Sequence, residues 1–236
     1  MTETVRTYGF HLWVVLVCLV SACGGTEPSE SMEMPPNETP MPTGLDAKCY
    51  EPYAQELFAH TPGINAGYGQ AKMPEVVLGP TMKGSLTSGS VNVLSLGIGG
   101  EIVLSFGDKT VADGPGTDFI VWENAFYVNG DPSVSFAEFG EVSVSLDGTE
   151  WHTFPCDPAQ MGPMDEGCAG WRPRKEFDPC SMLPLDPQLV GGDQFDLAEL
   201  GLDEIRYVKI RDLAESGAAP TAGFDLDAVG AVHFSP

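Results

Sequence analysis

The sequence predicts an all-β protein, a β-sandwich of jelly-roll type, and three observations carry that prediction. Short apolar runs recur between Gly- and Pro-rich breaks, giving about eight strands and little helix. Glu141–Phe154 alternates inward Val142, Val144 and Leu146 with outward Ser143, Ser145 and Asp147, and Asp147-Gly148 turns the chain into EWHTF. Asp118–Phe126 (DFIVWENAF) is apolar over most of its length. Phe119 and Val121 should face one side and Ile120 and Trp122 the other, so this strand belongs mid-sheet with both faces covered.

In chain order, Phe10–Val20 is an apolar run too short for a permanent membrane anchor and suited to a signal-peptide core (1–22). It ends in Val20-Ser21-Ala22-Cys23, which resembles the bacterial lipobox, with Cys23 as the lipid acceptor. Gly24, rather than an acidic residue, follows Cys23, and the resemblance to lipoprotein sorting signals implies the outer membrane. Residues 23–48 carry Pro28, Pro35, Pro36, Pro40 and Pro42 and little bulky apolar surface, so they read as a flexible tether. Extended, it would reach about 80 Å at about 3.3 Å per residue. The remainder, 49–236, fits one domain by size.

Within that domain Glu51–His60 reads as a short helix. Glu75–Gly79, Val91–Gly97 and Glu101–Phe106 read as strands, with Gly97–Gly100 (GIGG) as a tight hairpin connection. This glycine cluster lacks the Lys and following helix of a phosphate cradle. Pro155–Val190 holds seven Pro and three Cys and reads as a long loop stapled by disulfides. Phe195–Leu200 before Gly201 reads as one or two helical turns with a glycine stop. Ile205–Leu213 alternates Val208 and Ile210 inward with Lys209 and Arg211 outward, and Ala228–Phe234 is a closing strand.

The net charge of −23, from 34 acidic against 11 basic residues, argues against nucleic-acid binding and against attraction to anionic lipid. Contact with the membrane would be through the N-terminal lipid alone. Outside the signal and lipid cysteines, Cys49, Cys156, Cys168 and Cys180 imply two disulfides in an oxidising compartment. Of the possible pairings, Cys156–Cys168 with Cys49–Cys180 is favoured. Zinc is disfavoured because no C-x-x-C or histidine pair is present.

The segment VSVSLDG (Val142–Gly148) followed by Trp151 resembles a hairpin common in discoidin-like, galactose-binding-like sandwiches. LSLGIGGEIVLSF (Leu94–Phe106), GTDFIVWENAF (Gly116–Phe126), GGDQFDLAELGL (Gly191–Leu202) and GFDLDAV (Gly223–Val229) are similar to a family of bacterial cell-surface proteins and surface lipoproteins of myxobacteria and Bacteroidetes. The resemblance spans about Tyr50–Phe234. It implies a galactose-binding-domain-like fold and a cell-surface location more than a mechanism, and similar sandwiches carry a structural calcium.

Acidic groups cluster at Asp113/Asp118, Glu123/Asn124, Asp193/Asp196 and Asp225/Asp227. Calcium takes six to eight oxygens from such groups on turns. The expectation is one Ca²⁺ held by a subset of them, foremost Asp193, Asp196 and Asp225 or Asp227. The alternative is that these carboxylates cap turns and helix starts. His60, His152 and His233 are scattered and sit in no catalytic motif, so the chain reads as a non-enzyme. Trp171 with Arg172 and Arg174 forms an arginine–tryptophan island in the long loop, the candidate surface for glycan or another envelope component; the alternative is that the island folds back onto the body. The competing functions are an envelope assembly protein and a carboxylate-dependent glycan hydrolase.

Overall fold

The computed structural model describes residues 47–235, apart from 82, 161 and 163–166. The signal peptide, Cys23 and the tether up to residue 46 lie outside the described residues. Within these, the chain forms β1 (Glu56–Thr61), β2 (Leu94–Ser95), β3 (Glu101–Ser105), β4 (Val111–Ala112), β5 (Phe119–Glu123), β6 (Phe126–Tyr127), β7 (Ser135–Phe136), β8 (Gly140–Ser145), β9 (His152–Thr153), β10 (Cys168–Ala169), β11 (Asp193–Phe195), β12 (Glu204–Ile205), β13 (Tyr207–Asp212) and β14 (Asp225–Ala231). One short α-helix spans Pro187–Val190.

Two antiparallel sheets face each other in an all-β sandwich. The larger has the order β1-β3-β13-β8-β10, with β9 paired to β8; the smaller has β11-β5-β14-β2. Alternation explains the packing. Val142 and Val144 of β8 and Val208 and Ile210 of β13 point into the main core, where they meet Phe119, Val121, Phe195, Leu226 and Val229 of the smaller sheet. Phe119 stacks on Phe195 at 5.0 Å between ring centres.

β5 is buried at every residue and lies between β11 and β14, as its two apolar faces require. Its second face has its own core: Ile120 and Trp122 pack with Tyr53, Leu185, Val190 and Ala228. The cover over that face comes from the segment before β1 and from the long loop, and the Cys49–Cys180 disulfide joins the two. Cys156–Cys168 closes the loop's other staple. Both pairings match the favoured ones.

Four local readings are corrected. Glu51–His60 is not a helix; from Glu56 it is strand β1, paired along its length with β3, because ladder hydrogen bonds and packing on the sheet outweigh the modest helical preference of ELFAH. Glu75–Val77 is a 3-10 turn rather than a strand, between Pro74 and Pro80, which lack the N–H groups a ladder needs. Gly97–Gly100 is not a hairpin: β2 pairs with β14 and β3 with β1 and β13, so these glycines carry the chain from one sheet to the other. Leu146 is 47% exposed because β8 ends at Ser145, and Ser143 and Ser145, expected outside, are buried. Ser143 shares a hydrogen bond with Thr153 (2.9 Å) and Ser145 accepts one from the Gly148 N–H (2.9 Å). Of the segment Phe195–Leu200, Phe195 ends β11 and a 3-10 turn spans Leu197–Leu200, with Asp196 capping its start and the expected glycine stop at Gly201 in the left-handed region at φ 67°.

Candidate functional site

Strand ends place the acidic residues. Glu123 is the last residue of β5 and Asp225 the first of β14, and these strands are hydrogen-bonded neighbours. Glu138 arrives from the other sheet, in the segment leading into β8. Carboxylate oxygens of the three lie within 4.8 Å of one another. Glu123 is 2% exposed, and among the described residues neither of its oxygens accepts a hydrogen bond. The Asn124 N–H is close enough to favour the charged form slightly but points at the Asp225 carbonyl, 3.0 Å away. Asp225 accepts from the Ser95 hydroxyl and the Asn124 side chain.

Burial, then repulsion by Asp225, Glu138 and Asp193, pushes Glu123 well above the usual carboxylate range. Glu138 is raised to about 7 by burial and by Asp225 and Asp212. Sequence reasoning found Glu123, Asn124 and Asp225 but missed Glu138. It sits in FAEFG with no spacing signal, and only the approach of the second sheet brings it in.

The other expected ligands are elsewhere or occupied. Asp193 is near Glu123, but one oxygen accepts from the Gly170 N–H (2.6 Å) and the other from the Arg172 N–H (3.1 Å), with the Arg172 guanidinium at 3.7 Å. Burial still raises it to about 7. Asp196 caps the Leu197 turn at the far end of the small sheet, bonding the Ala198 N–H (2.9 Å). There it neighbours Asp113 and buried Asp118. Asp118 already holds the N–H groups of Gly114 (2.8 Å) and Leu197 (2.7 Å) and His233 Nδ1 (2.8 Å). For Asp118 and Asp196 the capping reading describes the geometry. Asp227 lies at a bulge in β14, accepts from Thr81 (2.6 Å), and is raised to about 7 by burial.

The arginine–tryptophan island is not an exposed patch. Arg174 is 5% exposed. Its guanidinium donates to the carbonyls of Gly84 (3.2 Å), Lys175 (2.9 Å) and Phe177 (2.7 Å) and lies over the Phe177 ring at 4.2 Å. Trp171 is half-buried, with its indole N–H inside and its ring stacked parallel to Phe139 at 6.3 Å. Arg172 is directed at Asp193. The loop folds back as Arg174 turns inward and supplies donors to the carbonyls of Lys175 and Phe177 within it and of Gly84 outside it.

Exposed aromatic surface is found instead on the outer face of the larger sheet. Phe58 sits at the irregularity in β1, is 56% exposed, and lies 4.7 Å from Tyr207 of β13. Two residues on, Lys209 lies over the Trp151 ring at 4.3 Å. The Gly148 turn backs the first pair; a Cβ there would sit 3.5 Å from each ring. The outward phase of Lys209 was legible in the sequence, whereas Phe58 was hidden by its assignment to a helix.

No protein-family model matches the chain, and no curated protein is significantly similar to it. Among the described residues, no helix is long and apolar enough to cross a membrane.

Proposed function

We propose that the protein is a non-catalytic binding module, lipidated at Cys23 and tethered to the outer membrane, that takes glycan on the outer face of its larger sheet. The observation that supports this is the exposed Phe58 ring packed against half-buried Tyr207, beside Lys209 and Trp151. Sugar rings present flat C–H faces that stack on aromatic rings, and their hydroxyls bond to flanking polar groups. Lys209, Glu56 and Thr153 supply such groups in the same region of the sheet. Strand-borne rings are held in fixed positions, which lowers the ordering cost of binding.

The test is a glycan array probed with the whole chain, followed by titration of any hit. Phe58→Ala and Tyr207→Ala should each weaken binding by about 5- to 150-fold, the range of a lost anchor of about 1–3 kcal/mol, while Trp171→Ala should change it little. A blank array at high protein concentration, or binding indifferent to Phe58 and Tyr207, refutes the surface. The tether is tested separately: Cys23→Ser should abolish acylation and release the protein from the membrane fraction.

A further inference from the structure

We infer that Glu123, Glu138 and Asp225 form a binding site for one divalent cation of the calcium type, which closes the end of the sandwich where the two sheets meet. Three carboxyl groups converge here, Glu123 and Asp225 buried and Glu138 half-buried, and the side chains acting on them are also acidic. The charged neighbours acting on Glu123 are Asp225, Glu138 and Asp193; those acting on Glu138 are Asp225 and Asp212. Asp193 is already held by two amides and Arg172, so it adds repulsion to the cluster without needing a further partner.

Glu123 carries the inference. A buried carboxylate with no donor on either oxygen is among the most unfavourable arrangements a fold can contain, and it is retained only where something compensates it. Trp122 and Val121 beside it show that an apolar residue would suit the core face of β5, yet a carboxylate ends the strand, aimed at two others. Hydrogen bonding does not compensate it. A cation or a proton can.

The donor set selects the ion. All three ligands are hard oxygens, which suits calcium or magnesium over the transition metals. Oxygens sharing a calcium ion stand no further apart than about 4.6–5.2 Å, twice the metal–oxygen distance, and the three carboxylates offer oxygens within 4.8 Å of one another. One ligand comes from an irregular segment of the larger sheet and two from strand ends, a mixture that tolerates calcium's loose geometry better than magnesium's strict octahedron. Asn124 braces the site from behind: its side-chain oxygen accepts the Ser90 N–H and its amide bonds Asp225, fixing that carboxylate's orientation.

This goes beyond the glycan reading. β13 runs from Tyr207 at the aromatic end to Asp212, which binds the Phe224 N–H next to Asp225, so the two regions lie at opposite ends of the strand. Either can fail without the other.

The test uses the whole chain, stripped with chelator, in calorimetric titration and thermal melts with CaCl₂ or MgCl₂. Wild type should bind one equivalent of calcium, more tightly than magnesium, with a rise in melting temperature. Glu123→Gln should weaken calcium binding by about 100-fold or more, the penalty of removing one partner from a buried charge cluster, and its melt should no longer respond to calcium. In chelator, Glu123→Gln should melt no lower than wild type, because neither Glu123 oxygen accepts a hydrogen bond from a described residue that the amide would forfeit; a glutamate held in place by donors would give the opposite. Asp113→Asn, in the acidic group at the far end, should leave binding unchanged. No heat and no melting shift at millimolar calcium overturns the inference, as does full calcium binding by Glu123→Gln.

Discussion

Removing the Cys49–Cys180 disulfide by paired alanine substitution should destabilise the protein more than removing Cys156–Cys168, and the difference follows from chain length. The first bond closes 131 residues and the second 12. In the chain-entropy treatment the constraint on the unfolded state is about 5 kcal/mol for the longer closure and about 3 kcal/mol for the shorter. A domain of about 190 residues has an unfolding entropy near 0.4 kcal/mol/K, so the melting temperatures should fall by about 12 °C and about 7 °C. The longer staple has a second effect. It joins the two segments that cover Trp122, whose ring lies 5.9 Å from Tyr53 and 6.5 Å from Phe177. Denaturant melts followed by tryptophan fluorescence should therefore show loosening around Trp122 in the Cys49→Ala/Cys180→Ala protein before the sheets unfold, whereas the Cys156→Ala/Cys168→Ala protein should stay two-state. Equal losses, or a larger loss from the short bond, would refute the reasoning from closure length. An unchanged Trp122 environment would refute the role of the cover.

Two further outcomes are expected. In chelator, stability should fall as pH rises from 6 to 8: burial raises Asp193 and Asp227 to about 7, so the folded state binds protons that the unfolded chain has already released. That contribution is complete below the ordinary carboxylate pKa near 4 and lost as pH rises through about 7. Half-buried His60, held below its usual range by burial, opposes this, so the melts are best run on a His60→Gln background; a melting temperature flat or rising over that interval would contradict the assignment. Arg174→Leu should cost about 3–5 kcal/mol in denaturant melts, since it strips donors from three loop carbonyls and leaves Asp227 buried beside an apolar group; a loss under about 1 kcal/mol would mean the loop finds other donors.

Much of the sandwich was legible because period-two alternation is a local property of the chain. Val142 and Val144, Val208 and Ile210, and the doubly apolar β5 each declare a face without reference to any partner. The same locality explains the errors. Glu51–His60 and Glu75–Gly79 are short stretches of mixed preference, and their state was decided by what they pack against, β3 in one case and flanking prolines in the other. Trp171 and Arg174 looked exposed because a proline-rich loop usually is, and nothing along the chain announces which carbonyls an arginine will turn back to satisfy.

By itself, the sequence determined an acidic, disulfide-bonded all-β domain and the inward residues of its most regular strands, because charge, cysteine count and side-chain alternation require only knowledge of near neighbours. Only the tertiary structure decided which carboxylates meet. Asp193 and Asp196 are close in the chain yet serve opposite ends of a sheet, while Glu123, Glu138 and Asp225 converge from separate strands. Strand ends from two sheets share space according to register and twist, and these are set by the packing of the whole core rather than by any single segment.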